Sequence, residues 1–357
     1  MTREVPLDLA FRRFSLPLRR PLETAHGTIE GRDGFLVRVR HDVDDRSESV
    51  VGYGEATPLP GWTESLEECE RGLERAMREI RTGGSDAALA AVDRTAAARH
   101  GVILALADLH ATRRSIPLYQ LLGEPGRVAR VPVNATVGDG FPEETARAVR
   151  AAVGEGFGCC KVKAGIRSIE TDVERLGRAR DAVGPDVELR VDANGAWTLE
   201  EAKRAIEGFR EYDVSILEQP LPEGALGGHA ELRGLGVGIA LDEGVLEHGI
   251  DAIREADAAD AIVLKPMALG GVDVAREVAA WANEAGMPTI VTTTIDGVVA
   301  RSGATHLAAS IPNVPACGLA TGPLLAEDLG RDPVLFENGE AVVPQAKGLG
   351  LSGIWND

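Results

Sequence analysis

Five charged residues recur through the middle of the chain at nearly even spacing. Lys161-Val162-Lys163 comes first, followed by Asp192-Ala193-Asn194, Glu218-Gln219-Pro220, Asp242-Glu243 and Lys265-Pro266. Lys163, Asp192, Glu218, Asp242 and Lys265 stand 23 to 29 residues apart. Three carboxylates gathered together repel one another unless a cation joins them. All-oxygen ligation suits a hard divalent ion, Mg²⁺ first and Mn²⁺ as the alternative. Lys163 and Lys265 fall on either side of that set. A partly desolvated lysine beside a cation and a second lysine gives up its proton more readily, whereas arginine stays protonated. Cation and amine together suit removal of a proton α to a carboxylate: one offsets the growing negative charge, the other takes the proton. The chain has only five lysines, Lys161, Lys163, Lys203, Lys265 and Lys347, within 38 Lys plus Arg. Three of the five stand in this series, where an amine must titrate.

The elements that must position these residues follow from the pattern around them. Each charged residue closes a short apolar run: Cys159–Lys163, Leu189–Asp192, Ser215–Glu218, Ile239–Asp242 and Ala261–Lys265. Val131–Val137 and Thr289–Thr293 are similar runs. Stretches such as Glu170–Val183 and Leu199–Arg210 have helical periodicity. Strand and helix alternating at about 30 residues per unit predict a (β/α) barrel, with an eighth strand near Pro315–Thr321. The series then lies on the C-terminal rim, where barrel active sites are built. Residues 1–125 read differently, as an α+β unit. Strands are predicted at Leu7–Ser15, Gly34–Arg40 and Val51–Ala56, with a Gly-rich connection over Thr24–Gly34. A Pro-rich turn, Pro58–Trp62, leads to Thr63, which reads as an N-cap before the acidic first turns Glu64, Glu67 and Glu68. Helical periodicity runs to Ile80 and again over Ala87–Thr112. The fold class expected is α/β, a (β/α)₇β-type barrel over residues 126–323 with an α+β cap over 1–125. The remaining segment, 324–357, is expected to pack back on the cap.

These motifs resemble the enolase superfamily, muconate-lactonizing-enzyme subgroup. That signature is Lys-x-Lys on the second strand, Asp-x-Asn on the third, Glu-x-Pro on the fourth, Asp-Glu on the fifth and Lys on the sixth. Pro117–Gly123 looks like the cap-to-barrel junction of the subgroup. The resemblance implies Lys163, Lys265 and Lys161 as catalytic residues and Asp192, Glu218 and Asp242 as metal ligands. Asn194, Glu243 and Asp296 would stand behind them, Asp296 resembling an acid near the sixth-strand lysine. Gly52–Trp62 resembles a loop of the o-succinylbenzoate synthases, as do Arg32-Asp33-Gly34 and Gly318–Gly322. That likeness implies dehydration of 2-succinyl-6-hydroxy-2,4-cyclohexadiene-1-carboxylate, a step of menaquinone synthesis. It places His26, Arg32, Pro60, Trp62, Thr292, Thr294, Gly318 and Leu319 near the substrate. Dipeptide epimerases carry an Asp-x-Asp on the eighth strand, which Cys317–Gly322 lacks. N-acylamino-acid racemase and muconate cycloisomerase activities share the remaining pattern, and a carboxylate-binding barrel without catalysis is the non-enzymatic reading.

Composition sets the partners. The net charge of −18 argues against nucleic acid, which needs a basic face. No apolar run reaches the length of a membrane span, and Met1–Pro6 has no apolar signal core, so a cytoplasmic enzyme is expected. Cys69, Cys159, Cys160 and Cys317 lack metal spacing and read as reduced, packed thiols. Gly270-Gly271 and Gly227-Gly228 read as loop turns, without the pattern of a phosphate cradle. The partner is a small carboxylate, and the subgroup implies a homo-oligomer. An acidic, lysine-poor, arginine-rich chain also resembles proteins of salt-loving organisms. Self-repulsion at −18 weakens as the Debye length shrinks from about 10 Å at 0.1 M salt to about 3 Å at 1 M. Tm, followed by circular dichroism, should therefore rise with KCl into the molar range. A flat Tm from about 0.1 to 2 M would contradict halophily.

Overall fold

The computed structural model describes residues 7–24, 27–42, 49–123 and 126–355. Three antiparallel strands open the chain: β1 (Leu7–Thr24), β2 (Gly27–Asp42) and β3 (Ser49–Ala56), in that order. β1 and β2 pair from Leu7 with His41 to Thr24 with Gly27, so the stretch expected as a connection is mostly strand. The register shifts once, between Pro17 and Leu22. Pro17 and Pro21 lack the N–H groups that a continuous ladder needs. β3 lies flat against the helix Ala96–Arg113. A Cβ on Gly54 would fall 1.9 Å from the Gly101 carbonyl oxygen, and one on Gly52 would fall 2.2 Å from that of Ala105. The Gly-x-Gly of this motif thus exists to let strand and helix backbones touch. Phe35, Val37, Val39, Leu73, Ile80, Val102 and Leu109 fill the core between sheet and helices. The first helix, Leu66–Ala90, is capped by Ser65, which accepts from Glu68 N while Glu68 accepts from Ser65 N. Thr63, the expected cap, instead accepts from Leu59 N and closes the Pro-rich turn.

The barrel follows. β4 (Arg130–Pro132) precedes seven parallel strands: β5 (Ala135–Val137), β6 (Cys159–Lys163), β7 (Glu188–Asp192), β8 (Val214–Glu218), β9 (Gly238–Leu241), β10 (Ala261–Leu264) and β11 (Thr289–Val291). The seven lie side by side in sequence order, with helical crossovers between them. Val131–Val137, expected as one strand, is divided because the chain changes partners within it. Val133 N donates to Gly339 O, and Asn134 N donates to Cys317 O. β4 joins β12 (Leu335–Glu337) and β13 (Glu340–Val342) in a small antiparallel sheet. The expected eighth strand is reduced to two bridges, Cys317 with Val133 and Gly318 with Thr292, which tie the first strand to the seventh. The ladder stops there because Thr321 N turns back to Leu319 O. Alternation along each strand sends Cys160, Val162, Leu189, Val191, Leu217 and Ile239 outward to the helices. Ile216, Ala240, Ala261, Val263 and Ile290 pack as a separate small cluster. Among the described residues, no helix is long and apolar enough to cross a membrane.

Cap and barrel are joined by buried and half-buried polar contacts. Arg99 of the cap reaches Gly270 O at 2.7 Å and both carboxylate oxygens of Asp273. The Gly270-Gly271 turn is thus occupied by the chain's own guanidinium. Asp108 accepts from Tyr53 N and from Leu349 N, which ties β3 and the C-terminal segment to one helix. That segment also meets β1, where Ala326 N donates to Pro17 O and Arg12 donates to Ile354 O. Glu55, at the end of β3, accepts from Gly297 N and Ala300 N at the start of the helix Val298–Ser310. It is therefore a cap residue from one unit on a helix of the other.

Burial, with Asp296 nearby, pushes the Glu55 carboxyl up to about 7. Between about pH 4.5 and 7 the unfolded chain has released this proton and the folded chain keeps it. The contribution to stability is then full below about pH 4.5 and is lost as pH rises through 7. Glu55→Gln removes that dependence. In urea melts at constant salt, the stability advantage of wild type over Glu55→Gln should shrink by about 2–3 kcal/mol between about pH 5 and 8. A difference independent of pH would contradict the assignment.

Candidate active site

Strand register brings the charged series together. Lys163 pairs with Asp192 across β6 and β7, and Asp192 pairs with Glu218 across β7 and β8. Asp242 follows the last residue of β9, and Lys265 follows that of β10. Asp192, Glu218 and Asp242 are each no more than 3% exposed. Lys161 Nζ bridges two of them, 2.9 Å from Asp192 Oδ2 and 2.8 Å from Glu218 Oε1. Lys163 Nζ lies 2.7 Å from Asp192 Oδ2 and 2.7 Å from Asn194 Oδ1. Lys265 Nζ donates to Asp242 Oδ2 and lies 3.6 Å from the centroid of the Trp62 ring. Asn194 in turn donates to Glu243 Oε1, while Glu243 Oε2 is buried and has no hydrogen-bond partner among the described residues.

Burial alone would raise the Asp192 carboxyl, but Lys161 and Lys163 outweigh it and hold that group well below the usual carboxylate range. Burial disfavours the Lys161 charge, yet Asp192 and Glu218 outweigh that and hold the ammonium above its ordinary range. Burial and then the charge of Asp192 push Glu218 up to about 7, against the pull of Lys161. Burial pushes Asp242 up to about 6, against Lys265 and with Glu243 adding to the rise. Burial therefore prevails at Glu218 and Asp242, and the lysine charges prevail at Asp192. Among the described residues, no three His, Cys, Asp or Glu side chains are gathered at metal-holding spacing. Lysine side chains lie against the carboxylates. The donor set nonetheless fits a hard divalent cation: all oxygen, buried and on neighbouring strand ends. Asp192, Glu218 and Asp242 are the residues that would hold it.

The remaining expected residues divide. Trp62, half-buried, reaches the rim and lines a narrow cleft with Asp242, Val245, Leu246 and Lys265. Pro60, beside it, is exposed. Arg32 is buried and donates to Thr57 O and Pro58 O, so it holds the loop that carries Trp62. Thr292 donates to Gly318 O, and a Cβ on Gly318 would fall 2.5 Å from Thr292 Oγ1; both serve barrel closure. Leu319 is fully buried in the core. Thr294 donates to Asp296 through both N and Oγ1, so Asp296 is held by its own loop, whereas Lys265 goes to Asp242. His26 lies outside the described residues. Sequence reasoning missed Gln219, which adopts a left-handed backbone (φ +40) and accepts from Asp242 N and Gly244 N. Its place between Glu218 and Pro220 was the available signal. A cavity of about 350 Å³ lined by Val131, Pro132, Ala308 and Ile311 borders none of the charged rim.

Comparison with known proteins agrees with this geometry. Residues 144–353 match the family described as enolase C-terminal domain-like. The L-Ala-D/L-Glu epimerase of Clostridium acetobutylicum is 30% identical over 370 residues, covering 98% of this chain and 99% of that protein. The o-succinylbenzoate synthase of Thermobifida fusca is 39% identical over 224 residues, covering 61% of this chain and 68% of that protein. A dipeptide epimerase from Enterococcus faecalis V583, crystallised with Mg and the dipeptide L-Leu-L-Tyr, aligns with a TM-score of 0.85. It is 27% identical, with 98% of this chain and 100% of that chain covered. The protein belongs to the enolase superfamily, in its muconate-lactonizing subgroup.

Calorimetric titration with MgCl₂ should give saturable binding that Asp192→Asn, Glu218→Gln and Asp242→Asn each weaken by at least about tenfold. Binding unchanged in all three variants would contradict the ligand set.

Proposed function

We propose that this protein is an o-succinylbenzoate synthase, a dehydratase acting on 2-succinyl-6-hydroxy-2,4-cyclohexadiene-1-carboxylate. The observation that carries this reading is the closing segment of the barrel. A dipeptide brings an ammonium group that needs a carboxylate, and the resemblance locates one on the eighth strand of dipeptide epimerases. Here Cys317–Thr321 reads Cys-Gly-Leu-Ala-Thr, with Cys317 and Leu319 fully buried and Gly318 O taken by Thr292. The dehydration substrate has no ammonium group, so this segment suits it. The 39% identity to a synthase over the part aligned supports the same reading.

In the dehydration, Lys163 as a free amine takes the proton from the ring carbon that bears the carboxylate. It returns that proton to the departing hydroxyl, so water leaves and the ring becomes aromatic. Lys161, held by Asp192 and Glu218, keeps its charge and shares the Asp192 oxygen on which Lys163 rests. Lys265, between Asp242 and the Trp62 face, supplies positive charge to the delocalised anion. A divalent cation on Asp192, Glu218 and Asp242 would add the charge that steadies a substrate carboxylate.

Racemisation or epimerisation is the second reading. It is favoured by the presence of both rim lysines and by the full-length match to an epimerase. Purified protein in Mg²⁺ and molar KCl should convert the cyclohexadiene to 2-succinylbenzoate. Lys163→Arg should lower that rate by at least about a thousandfold, because arginine does not exchange the proton. Lys265→Arg keeps the charge and should retain measurable dehydration. Epimerisation of dipeptides or N-succinyl amino acids with no turnover of the cyclohexadiene would overturn the first reading and establish the second.

A further inference from the structure

A fully buried ion pair lies behind the strand that carries Lys163. Asp172 and Arg175, one turn apart on the helix Ile169–Val183, are both 0% exposed, with Arg175 Nη1 2.6 Å from Asp172 Oδ1. Their other hydrogen bonds leave the helix. Arg175 Nη1 donates to Lys163 O at 2.8 Å, Nη2 to Gly138 O at 2.7 Å and Nε to Thr145 Oγ1 at 3.1 Å. Asp172 Oδ2 accepts from Gly165 N at 2.9 Å. The pair thus grips the backbone on both sides of Ala164, just beyond the last residue of β6, and the loop that leaves β5.

Stability alone explains this poorly. Taking two charges out of water costs about as much as their attraction returns, so buried pairs add little to folding. What the planar guanidinium does supply is direction, since its donors lie in a fixed fork. Lys163 needs that direction more than its neighbours do. Its side chain is 35% exposed, against 15% for Lys161 and 14% for Lys265, so side-chain packing constrains it least. The position of its Nζ between Asp192 and Asn194 therefore depends on how firmly its own peptide is held. We propose that Arg175 and Asp172 are positioning residues for Lys163, fixing the peptide from which the reacting amine projects. This rests on the reading of Lys163 as the base, and it adds two residues that touch neither substrate nor metal ligand.

The small lysine count makes the proposal directly measurable. Protein labelled with ¹³C at lysine Cε gives five signals, and Lys163→Arg identifies one of them by its loss. In Arg175→Gln, and more mildly in Asp172→Asn, the Lys163 signal should shift and broaden while those of Lys203 and Lys347 stay in place. In the dehydration assay kcat should fall at least about tenfold, with KM within about twofold. The spectrum needs no turnover, so a protein inactive as a dehydratase still tests the positioning claim. A Lys163 signal identical to wild type in a folded variant overturns it, whatever the kinetics. Failure of both variants to fold would assign the pair to the fold alone and also overturn it.

Discussion

Three carboxylates occupy the C-terminal mouth of one barrel with almost no water to screen them. Parallel register sets two of them on directly paired positions, Asp192 and Glu218, and the third on the next strand. Such a cluster is unstable by itself, because each charge is both desolvated and repelled. The chain answers with ammonium groups: Lys161 between two carboxylates, Lys163 on one and Lys265 on the third. The lysines that make the folded cluster tolerable also bring two amines to the rim of the proposed cation site. On the proposed function, structure and chemistry share one cause, since the residues that need a counter-charge are those proposed to gather a substrate carboxylate.

The supports of this cluster come from outside the strands. Gln219 fixes the peptides of Asp242 and Gly244. Arg32 holds the carbonyls of the loop that lays Trp62 over Lys265. Glu55 fastens β3 to the barrel's last long helix, and Arg99 fastens the cap to the loop after Lys265. Cap and barrel are therefore joined at buried and half-buried hydrogen bonds rather than only by apolar contact. Such joints are specific in direction and costly to leave unpaired, so they set where the cap loop sits over the rim.

The charged series was legible in the sequence because a β/α barrel delivers one strand end per repeat, and every rim residue ends an apolar run. The cap was legible as strands then helices, although its long hairpin was not: pairing past Pro17 resumes at Leu22 only through a register shift. The eighth strand is shorter than the sequence predicts because apolar content does not say where a chain turns. Thr292, Gly318 and Leu319 have types that suit a binding site, and only the three-dimensional structure shows Thr292 bonded to Gly318 O and Leu319 buried in the core. Arg175, Asp172 and Glu55 were invisible for the opposite reason. Each acts on backbone groups brought near by folding, and no spacing along the chain records those partners.

On this account the buried carboxylates Asp192, Glu218 and Asp242 together hold the cation. The most direct test is titration of Mg²⁺ into protein labelled with ¹³C at lysine Cε. The signals of Lys161, Lys163 and Lys265 should move together in one saturable transition, with those of Lys203 and Lys347 unchanged. Saturating Mg²⁺ that leaves the three rim signals in place, or moves only those of Lys203 and Lys347, would contradict it.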